Sequence, residues 1–143
     1  MERTSKTSAA PAKADLAKED LAKKEAMVRE MLGRVADKWT LLVIEALARG
    51  GEMRFSRLRE SVGAVSQKML TQTLRQLERD GLVTRRVYPV VPPRVEYKLT
   101  SLGESLGESV CSIWLWVEAH LDDVERSRHA FDREKPKAPV SGR

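Results

Sequence analysis

The sequence predicts a mainly α-helical domain that carries one small β-hairpin, an arrangement of the α+β class. Apolar residues recur at helical spacing in several segments between residues 15 and 121. A pair of helical segments punctuated by glycines occupies the middle of the chain. Two stretches of period-two alternation follow that pair and are separated by three prolines, which indicates a hairpin with a long tip.

The ends of the chain differ from this pattern. Residues 1–14 and 132–143 are polar and aperiodic, and they have too few apolar side chains to offset the entropy of ordering, so we expect a disordered arm and a disordered tail. The folded domain is predicted over 15–131. Its first helix spans 15–33, where Ala, Leu, Lys, Glu and Met dominate and Gly33 is the expected stop.

The charge distribution divides the domain into a basic middle and an acidic segment after it. Residues 37–100 hold twelve Lys and Arg against seven Asp and Glu, whereas residues 101–131 hold two against six. A basic surface suits nucleic acid, although an ordinary solvated surface has the same composition. Apolar runs are far shorter than the roughly 20 residues that span a bilayer, and the N-terminus has no signal-peptide core, so we expect no membrane partner and a cytoplasmic location.

The segment 37–81 predicts three helices. Asp37 can cap the first, a deeply apolar helix that Gly50 and Gly51 end. After the very short extended piece MRF, Ser56 is the expected cap of a short helix that ends at Gly63. Ser66 is then the expected cap of a second helix that closes at Gly81. Two helices joined by a tight glycine turn are typical of a helix-turn-helix.

The helix at 66–79 has two contrasting faces. Leu70, Leu74 and Leu77 fall within a narrow wedge that should face the core. The opposite face carries polar side chains without an acidic one: Lys68, Thr71, Gln72, Arg75 and Arg79. Arg or Lys can read guanine and Gln can read adenine in a major groove, and free N–H groups near Ser66 would attract a phosphate. A solvated surface helix remains the alternative.

The hairpin after this helix favours a DNA-reading helix over an ordinary solvated surface helix. Alternation over 83–88 and 94–99 flanks Pro89, Pro92 and Pro93, which predicts two antiparallel strands with a stiff tip. Arg85, Arg86 and Arg94 lie beside the tip and could hold phosphates. A helix-turn-helix followed by a basic hairpin describes a winged helix-turn-helix over 37–100.

The outer helices predict a dimer. SLGE at 101–104 has capping-box spacing and opens a helix over 101–121 with a long apolar face. The winged unit is too small to cover that face together with the apolar end of the first helix, so a second copy should cover it. The alternative is that both helices pack on their own chain's core. The predicted interface residues are Met27, Val28, Met31, Leu32, Leu106, Val110, Ile113, Trp114, Val117 and Leu121.

Three stretches together resemble a known family. DKWTLLVIEAL, MRFSRLRESVGAVSQKMLTQTLRQLERDGLV and VYPVVPPRVEYKLTSLGESL are similar, in this order, to the HxlR family of bacterial winged-helix transcription regulators, which are relatives of the MarR group. The resemblance covers roughly residues 28–116. It implies a homodimer that binds operator DNA, an inverted repeat, with the helix 66–79 in the major groove and the wing 83–99 on the backbone or minor groove.

The resulting set of DNA-binding residues draws on the helix pair and the wing. It comprises Ser56, Arg57, Ser66, Gln67, Lys68, Thr71, Gln72, Arg75, Arg79, Arg85, Arg86 and Arg94. We also expect association with the nucleoid when DNA is bound. A crevice between the winged unit and the dimer helices could hold a small-molecule effector, whose chemistry the sequence leaves open. The competing interpretation is a winged-helix module that binds protein and no specific DNA.

Other signals favour neither an enzyme nor a cofactor. GESLG at 103–107 matches the G-x-S-x-G of hydrolases, and Asp122 and His129 follow it, but no βαβ units exist to build that fold. His120 and His129 lack metal-ligand spacing, so no metal, cofactor or catalytic residue is predicted. Cys111 is the single cysteine and has no basic neighbour to activate it. Some HxlR-type regulators sense oxidants or electrophiles through a cysteine near the first helix, about where Ala26 stands in this chain. The alternative is that Cys111 substitutes for that cysteine through an intersubunit disulfide.

Overall fold

The computed structural model describes residues 12–134 as five helices and a small antiparallel sheet. The helices are α1 (Lys13–Val35), α2 (Lys38–Gly50), α3 (Phe55–Val62), α4 (Gln67–Arg79) and α5 (Ser101–Glu134). The strands are β1 (Met53–Arg54), β2 (Val83–Tyr88) and β3 (Arg94–Leu99). The predicted fold, mainly α with a β-hairpin in a winged helix-turn-helix, is confirmed. Most of the predicted disordered arm and tail, 1–11 and 135–143, lies outside the described residues.

The first helix is longer than predicted at both ends. It begins at Lys13, within the expected arm, because Lys13 and Ala14 both favour helix. It also passes through Gly33 to Val35, so the expected stop is wrong. A single helical glycine costs only about 1 kcal/mol relative to alanine, and Arg34 and Val35 continue the helix beyond it.

The last helix does not end at Leu121 as predicted but continues to Glu134. No glycine or proline interrupts 122–134, and Arg126 Nη2 lies 2.6 Å from Asp123 Oδ1 on the outer surface of this extension. The predicted tail residues 132–134 are therefore helical. The apolar spacing also continues through Val124 and Phe131, which the sequence interpretation treated as lying beyond the helix.

The core is built around α2. The Thr40 N–H donates to Asp37 Oδ2 at 3.1 Å, as the predicted cap requires. Val43, Ile44 and Leu47 are fully buried, and α2 contacts α3, α4, α5 and β3. The helix-turn-helix and the sheet are thereby attached to one central helix. Within residues 12–134 no helix combines the length and the apolar character needed to cross a membrane.

The sheet has three strands in the order β1-β3-β2, where the sequence predicted two. The hairpin register runs from Val83 opposite Leu99 to Tyr88 opposite Arg94. The additional strand, β1, places Met53 opposite Tyr97 and Arg54 opposite Glu96. Its extended conformation was expected, but a strand of two residues has no period from which its pairing can be predicted.

A tight junction joins α4, the sheet and α5. The Thr100 hydroxyl donates to the Gly81 carbonyl oxygen at 2.6 Å and accepts from the Gly103 N–H at 3.0 Å. Thr100 rather than Ser101 therefore caps α5. A Cβ at Gly103 would lie 2.0 Å from the Leu82 carbonyl oxygen, so only glycine fits this crossing. Gly107 similarly faces Ala48 of α2.

We predict that Gly103→Ala lowers the free energy of unfolding by about 1–3 kcal/mol, because the added methyl group must displace backbone. Gly33→Ala is the matched control. No atom lies within 4 Å of its added Cβ, so this variant should gain up to about 1 kcal/mol. Urea unfolding at equal protein concentration measures both variants. Wild-type stability in Gly103→Ala would contradict the close approach.

Candidate nucleic-acid interface

The turn between α3 and α4 is held by backbone geometry and by side-chain bonds. Gly63 ends α3 with a φ of +102°, a conformation that favours glycine. The Arg59 Nε–H donates to the Val65 carbonyl oxygen at 3.1 Å across the turn. Ser66 Oγ then accepts the Met69 N–H at 3.1 Å, so Ser66 caps α4 as predicted. That N–H is consequently occupied and is not free for a phosphate.

The predicted cap of α3 is wrong. This helix begins at Phe55, and Arg54 occupies the cap position without a side-chain bond. Ser56 is exposed in the first turn, next to the exposed Arg57. Met53 and Arg54 pair with β3, and the helix starts two residues earlier than a cap at Ser56 would place it. Both side chains remain candidates for DNA contact because they are accessible.

The inner face of α4 confirms the helical-wheel prediction. Leu70, Leu74 and Leu77 are each no more than 1% exposed. They pack in one cluster with Ile44 of α2 and Leu58 of α3. Complete burial of three leucines on one helix is worth about 2 kcal/mol for each side chain. The packing therefore fixes which side of α4 points to solvent.

The outer face of α4 is exposed throughout. Lys68, Thr71, Gln72, Arg75 and Arg79 are all accessible, as is Gln67 in the first turn. The Thr71 hydroxyl donates to the Gln67 carbonyl oxygen at 2.7 Å. Thr71 can therefore offer a ligand its methyl group and its oxygen lone pairs, which suit a thymine methyl group or a donor.

A shallow groove lies between α3 and the start of α4. Ser56 and Gln67 line it together, so the structure brings these two predicted residues to one surface. Glu60 lines the same groove and places a negative charge at its edge. A phosphate would be disfavoured beside Glu60 and favoured beside Arg57 and Lys68.

The wing arginines are divided between the two faces of the sheet. Side chains alternate along a strand, so Arg85 shares one face with Val83 and Val87. Arg86 shares the other face with Thr84 and Tyr88. Because Arg94 pairs with Tyr88, it lies on the face of Arg86. The three predicted arginines therefore do not form a single patch.

Arg86 and Arg94 surround Tyr88, at 5.2 Å and 4.4 Å from its ring centroid. Arg94 Nε also lies 3.1 Å from Glu96 Oε1, and the Arg94 side chain is partly buried. Arg86 is exposed and forms no ion pair within residues 12–134. Arg86 is thus the freer charge on this face, whereas Arg94 is already engaged by a carboxylate.

Tyr97 lies on the opposite face of the sheet, between the wing and α4. Burial raises the pKa of the Tyr97 phenol above its usual value because desolvation disfavours the phenolate. The positive charges of Arg85 and Arg75 act in the other direction, and Glu78 adds to the increase. Tyr97 therefore stays a neutral hydroxyl beside Arg85 of the wing and Arg75 of α4.

Two further basic residues of the sheet are absent from the predicted set. Arg54 and Lys98 are exposed, and the register places both on the sheet face of Arg86. Lys98 could have been found, since period two from Arg94 reaches it directly. Arg54 could not, because only the pairing of β1 with β3 brings it there; Arg54 Nε lies 3.8 Å from Glu96 Oε1.

The outer helices expose most of the predicted interface residues. No residue of α1 is buried, and no residue of α5 beyond Val110 is buried. Val110 itself is 3% exposed and packs in the core of its own chain, so it offers a second copy almost no surface. Met31 and Leu106 pack partly on the same core. The remaining seven are exposed: Met27, Val28, Leu32, Ile113, Trp114, Val117 and Leu121.

The residues that suggested other chemistry lie on α5. Ser105 is in the second turn of that helix and not in a strand-to-helix elbow, because Gly103 and Gly107 are helical. His120 stacks on Trp116 with ring centroids 4.4 Å apart. Cys111 is partly buried and free. Over residues 12–134 no group of three His, Cys, Asp or Glu side chains could hold a metal ion.

Comparisons with known proteins agree on one family. A family model described as HxlR-like helix-turn-helix matches residues 34–125. The HTH-type transcriptional regulator YtfH of Escherichia coli K12 is 50% identical over 96 residues, which are 67% of this chain and 75% of that protein. YdeP of Bacillus subtilis, also an HTH-type transcriptional regulator, is 37% identical over 109 residues, 74% of this chain and 84% of that protein.

A solved structure has the same architecture. The transcriptional regulator ytfH from Salmonella typhimurium superimposes with a TM-score of 0.67 at 47% identity. The match covers 71% of this chain and 90% of that one. The two proteins are therefore similar in sequence as well as in fold.

We predict that Ser66→Ala lowers the free energy of unfolding by about 1 kcal/mol, because the Met69 N–H loses its acceptor. Ser56→Ala is the matched control and should change stability by less than about 0.5 kcal/mol, since Ser56 caps no helix. Thermal unfolding followed by circular dichroism compares the two. Equal losses in both variants would contradict the cap assignment.

Proposed function

Because this chain belongs to the HxlR-like helix-turn-helix family of DNA-binding transcription regulators, we propose that it binds an inverted-repeat operator as a homodimer, with α4 in the major groove. The observation that carries the proposal is the outer face of α4. Five polar side chains without an acidic member are exposed there, opposite three buried leucines. An α-helix fits the width of a major groove, and this face offers donors and acceptors along it.

Roles on α4 follow from position and chemistry. Arg75 and Gln72 are near the middle of the helix and can read guanine and adenine edges. Lys68 and Arg79 lie towards its two ends, where phosphates flank the groove. Ser66 and Gln67 at the start of α4, with Ser56 and Arg57 on α3, are proposed to contact the backbone.

The wing is proposed to contact the neighbouring backbone or minor groove. Arg86 supplies an exposed charge on one sheet face, which it shares with Arg94 and Lys98, and Arg85 lies on the face nearer to α4. Arg85 and Arg86 should contact different phosphates, because their side chains point to opposite sides of the hairpin. We therefore expect only one of them to reach a given phosphate.

The dimer is proposed to form through α1 and α5. The apolar stripe of α5 continues past Leu121 to Val124 and Phe131, so the surface available to a second copy is larger than the sequence indicated. A symmetric dimer would present its two α4 helices to half-sites about one helical turn apart, roughly 34 Å. Such a protein would act on the nucleoid in the cytoplasm and catalyse no reaction.

A small-molecule effector is proposed to act in the cleft between α1, α2 and α4. Glu30, Asp37 and Arg75 are among the residues that line it. Because Arg75 belongs to the proposed base-reading face, an occupant of this cleft would touch the DNA-binding machinery directly.

We predict that Arg75→Ala weakens binding to a selected operator by about 1–3 kcal/mol and weakens non-specific binding much less, because a base contact carries specificity. Arg133→Ala is the control. It removes the same charge from an exposed position near the end of α5 and should leave both affinities unchanged. Fluorescence anisotropy at physiological salt measures them. An equal loss for both DNAs would make Arg75 a phosphate contact, and no operator binding by the wild type would favour a protein-binding module.

We predict that Ile113→Asp converts the dimer to a monomer, since it places a charge in the apolar stripe of α5. Leu115→Asp is the matched control, because Leu115 is also exposed but lies on the opposite side of the helix. Sedimentation equilibrium gives the mass of each variant. A dimeric Ile113→Asp protein would exclude this stripe as the interface.

A further inference from the structure

An ion pair joins the proposed dimer helix α1 to the end of the recognition helix α4. Arg34 Nε, in the last turn of α1, lies 3.0 Å from Oδ2 of Asp80, the residue that ends α4. Both side chains are largely withdrawn from solvent, at 23% and 12% exposed. Gln76 Nε2 donates to the other Asp80 oxygen, Oδ1, at 3.4 Å. Arg34 Nε and Asp80 Oδ2 are both buried and form no hydrogen bond within residues 12–134, so the contact between them is electrostatic.

Asp80 is an acidic residue at the C-terminal end of a helix, which is an unusual position for a carboxylate. The C-terminus of a helix carries a partial negative charge, so an acidic side chain is disfavoured there unless something compensates for it. Arg34 supplies that compensation from a different helix. The chain thus places a carboxylate at an unfavourable site where α1 meets α4.

Few other contacts hold α1 against the domain. Of its residues only Met31, Arg34 and Val35 are partly buried, and all three lie in the last two turns. The connection to α2 consists of Ala36 and Asp37, and α2 is firmly buried in the core. Because only this short connection and the last two turns hold α1, its direction depends strongly on the contacts of its final turn.

We propose that Arg34 and Asp80 are positioning residues that set the angle of α1 relative to α4 and, through it, the half-site spacing that the dimer accepts. The inference rests on the proposed function, in which α1 lies at the dimer interface and α4 in the major groove. Each α4 is packed through Leu70, Leu74 and Leu77, so loss of the ion pair leaves the reading face of a single subunit intact. Loss of the ion pair instead changes the distance and angle between the α4 helices of the two subunits.

The test uses a duplex selected from a random DNA pool by the wild-type protein. Its two half-sites are then moved closer or farther apart by one and two base pairs, and a duplex with one half-site is included. Asp80→Asn and Arg34→Gln each remove the ion pair from one side. Arg29→Gln is the matched control, because it makes the same substitution at an exposed α1 residue that forms no ion pair within residues 12–134.

We expect both Asp80→Asn and Arg34→Gln to bind the single half-site within about two-fold of the wild type. Both should lose at least about five-fold of the preference for the selected spacing, the lower end of the range for coupling between sites. Arg29→Gln should keep that preference. Thermal unfolding of each variant checks that it is folded, and Arg34→Gln serves if Asp80→Asn is not, since Arg34 is outside the winged unit.

Three results would overturn the proposal. An unchanged spacing preference in folded Arg34→Gln would show that the ion pair does not set the geometry. An equal loss on the single half-site and on the full site would make the pair a local support of α4. Equal binding of the wild type to all half-site spacings would show that the protein has no spacing preference for the ion pair to set. Failure of the wild type to select any duplex would instead refute the proposed function.

Discussion

Burial of one leucine-lined face of α4 determines the orientation of every functional side chain on that helix. Leu70, Leu74 and Leu77 are packed against α2 and α3, and their removal from water is too favourable for α4 to rotate about its axis. Lys68, Thr71, Gln72, Arg75 and Arg79 consequently point to solvent together. The surface proposed to read DNA is thus a consequence of core packing, and the cap at Ser66 fixes where α4 begins.

The positions of α1 and α5 also depend on contacts with the winged unit. Thr100 joins the end of α4 to the start of α5 by two hydrogen bonds, and Gly103 lets α5 approach the Leu82 carbonyl closely. Arg34 connects α1 to Asp80, the residue next to Gly81. The two helices that leave the core are therefore both attached at the C-terminal end of α4. A dimer built from them would be sensitive to small changes at either attachment.

Local patterns allowed the sequence to predict the helices of the winged unit and the α4 faces. Periodicity of leucines, serine at Ser66 and glycine at Gly63 are signals within a few residues, and the structure agrees with them. Long-range pairing carried no such signal, so the third strand and the Arg34–Asp80 pair were missed. Val110 was assigned to a dimer because its stripe is continuous, although the α2 surface already buries that part of α5. The end of α5 was misplaced because polar residues at 122–134 resemble a tail while still favouring helix.

The central claim, that two α4 helices occupy successive major grooves, is tested most directly by methylation interference on a selected operator. Guanine N7 lies in the major groove, so its methylation blocks a helix seated there. We expect two clusters of interfering guanines whose centres are separated by about one helical turn, roughly 34 Å. A single cluster, or strong binding that is indifferent to N7 methylation, would contradict the central claim.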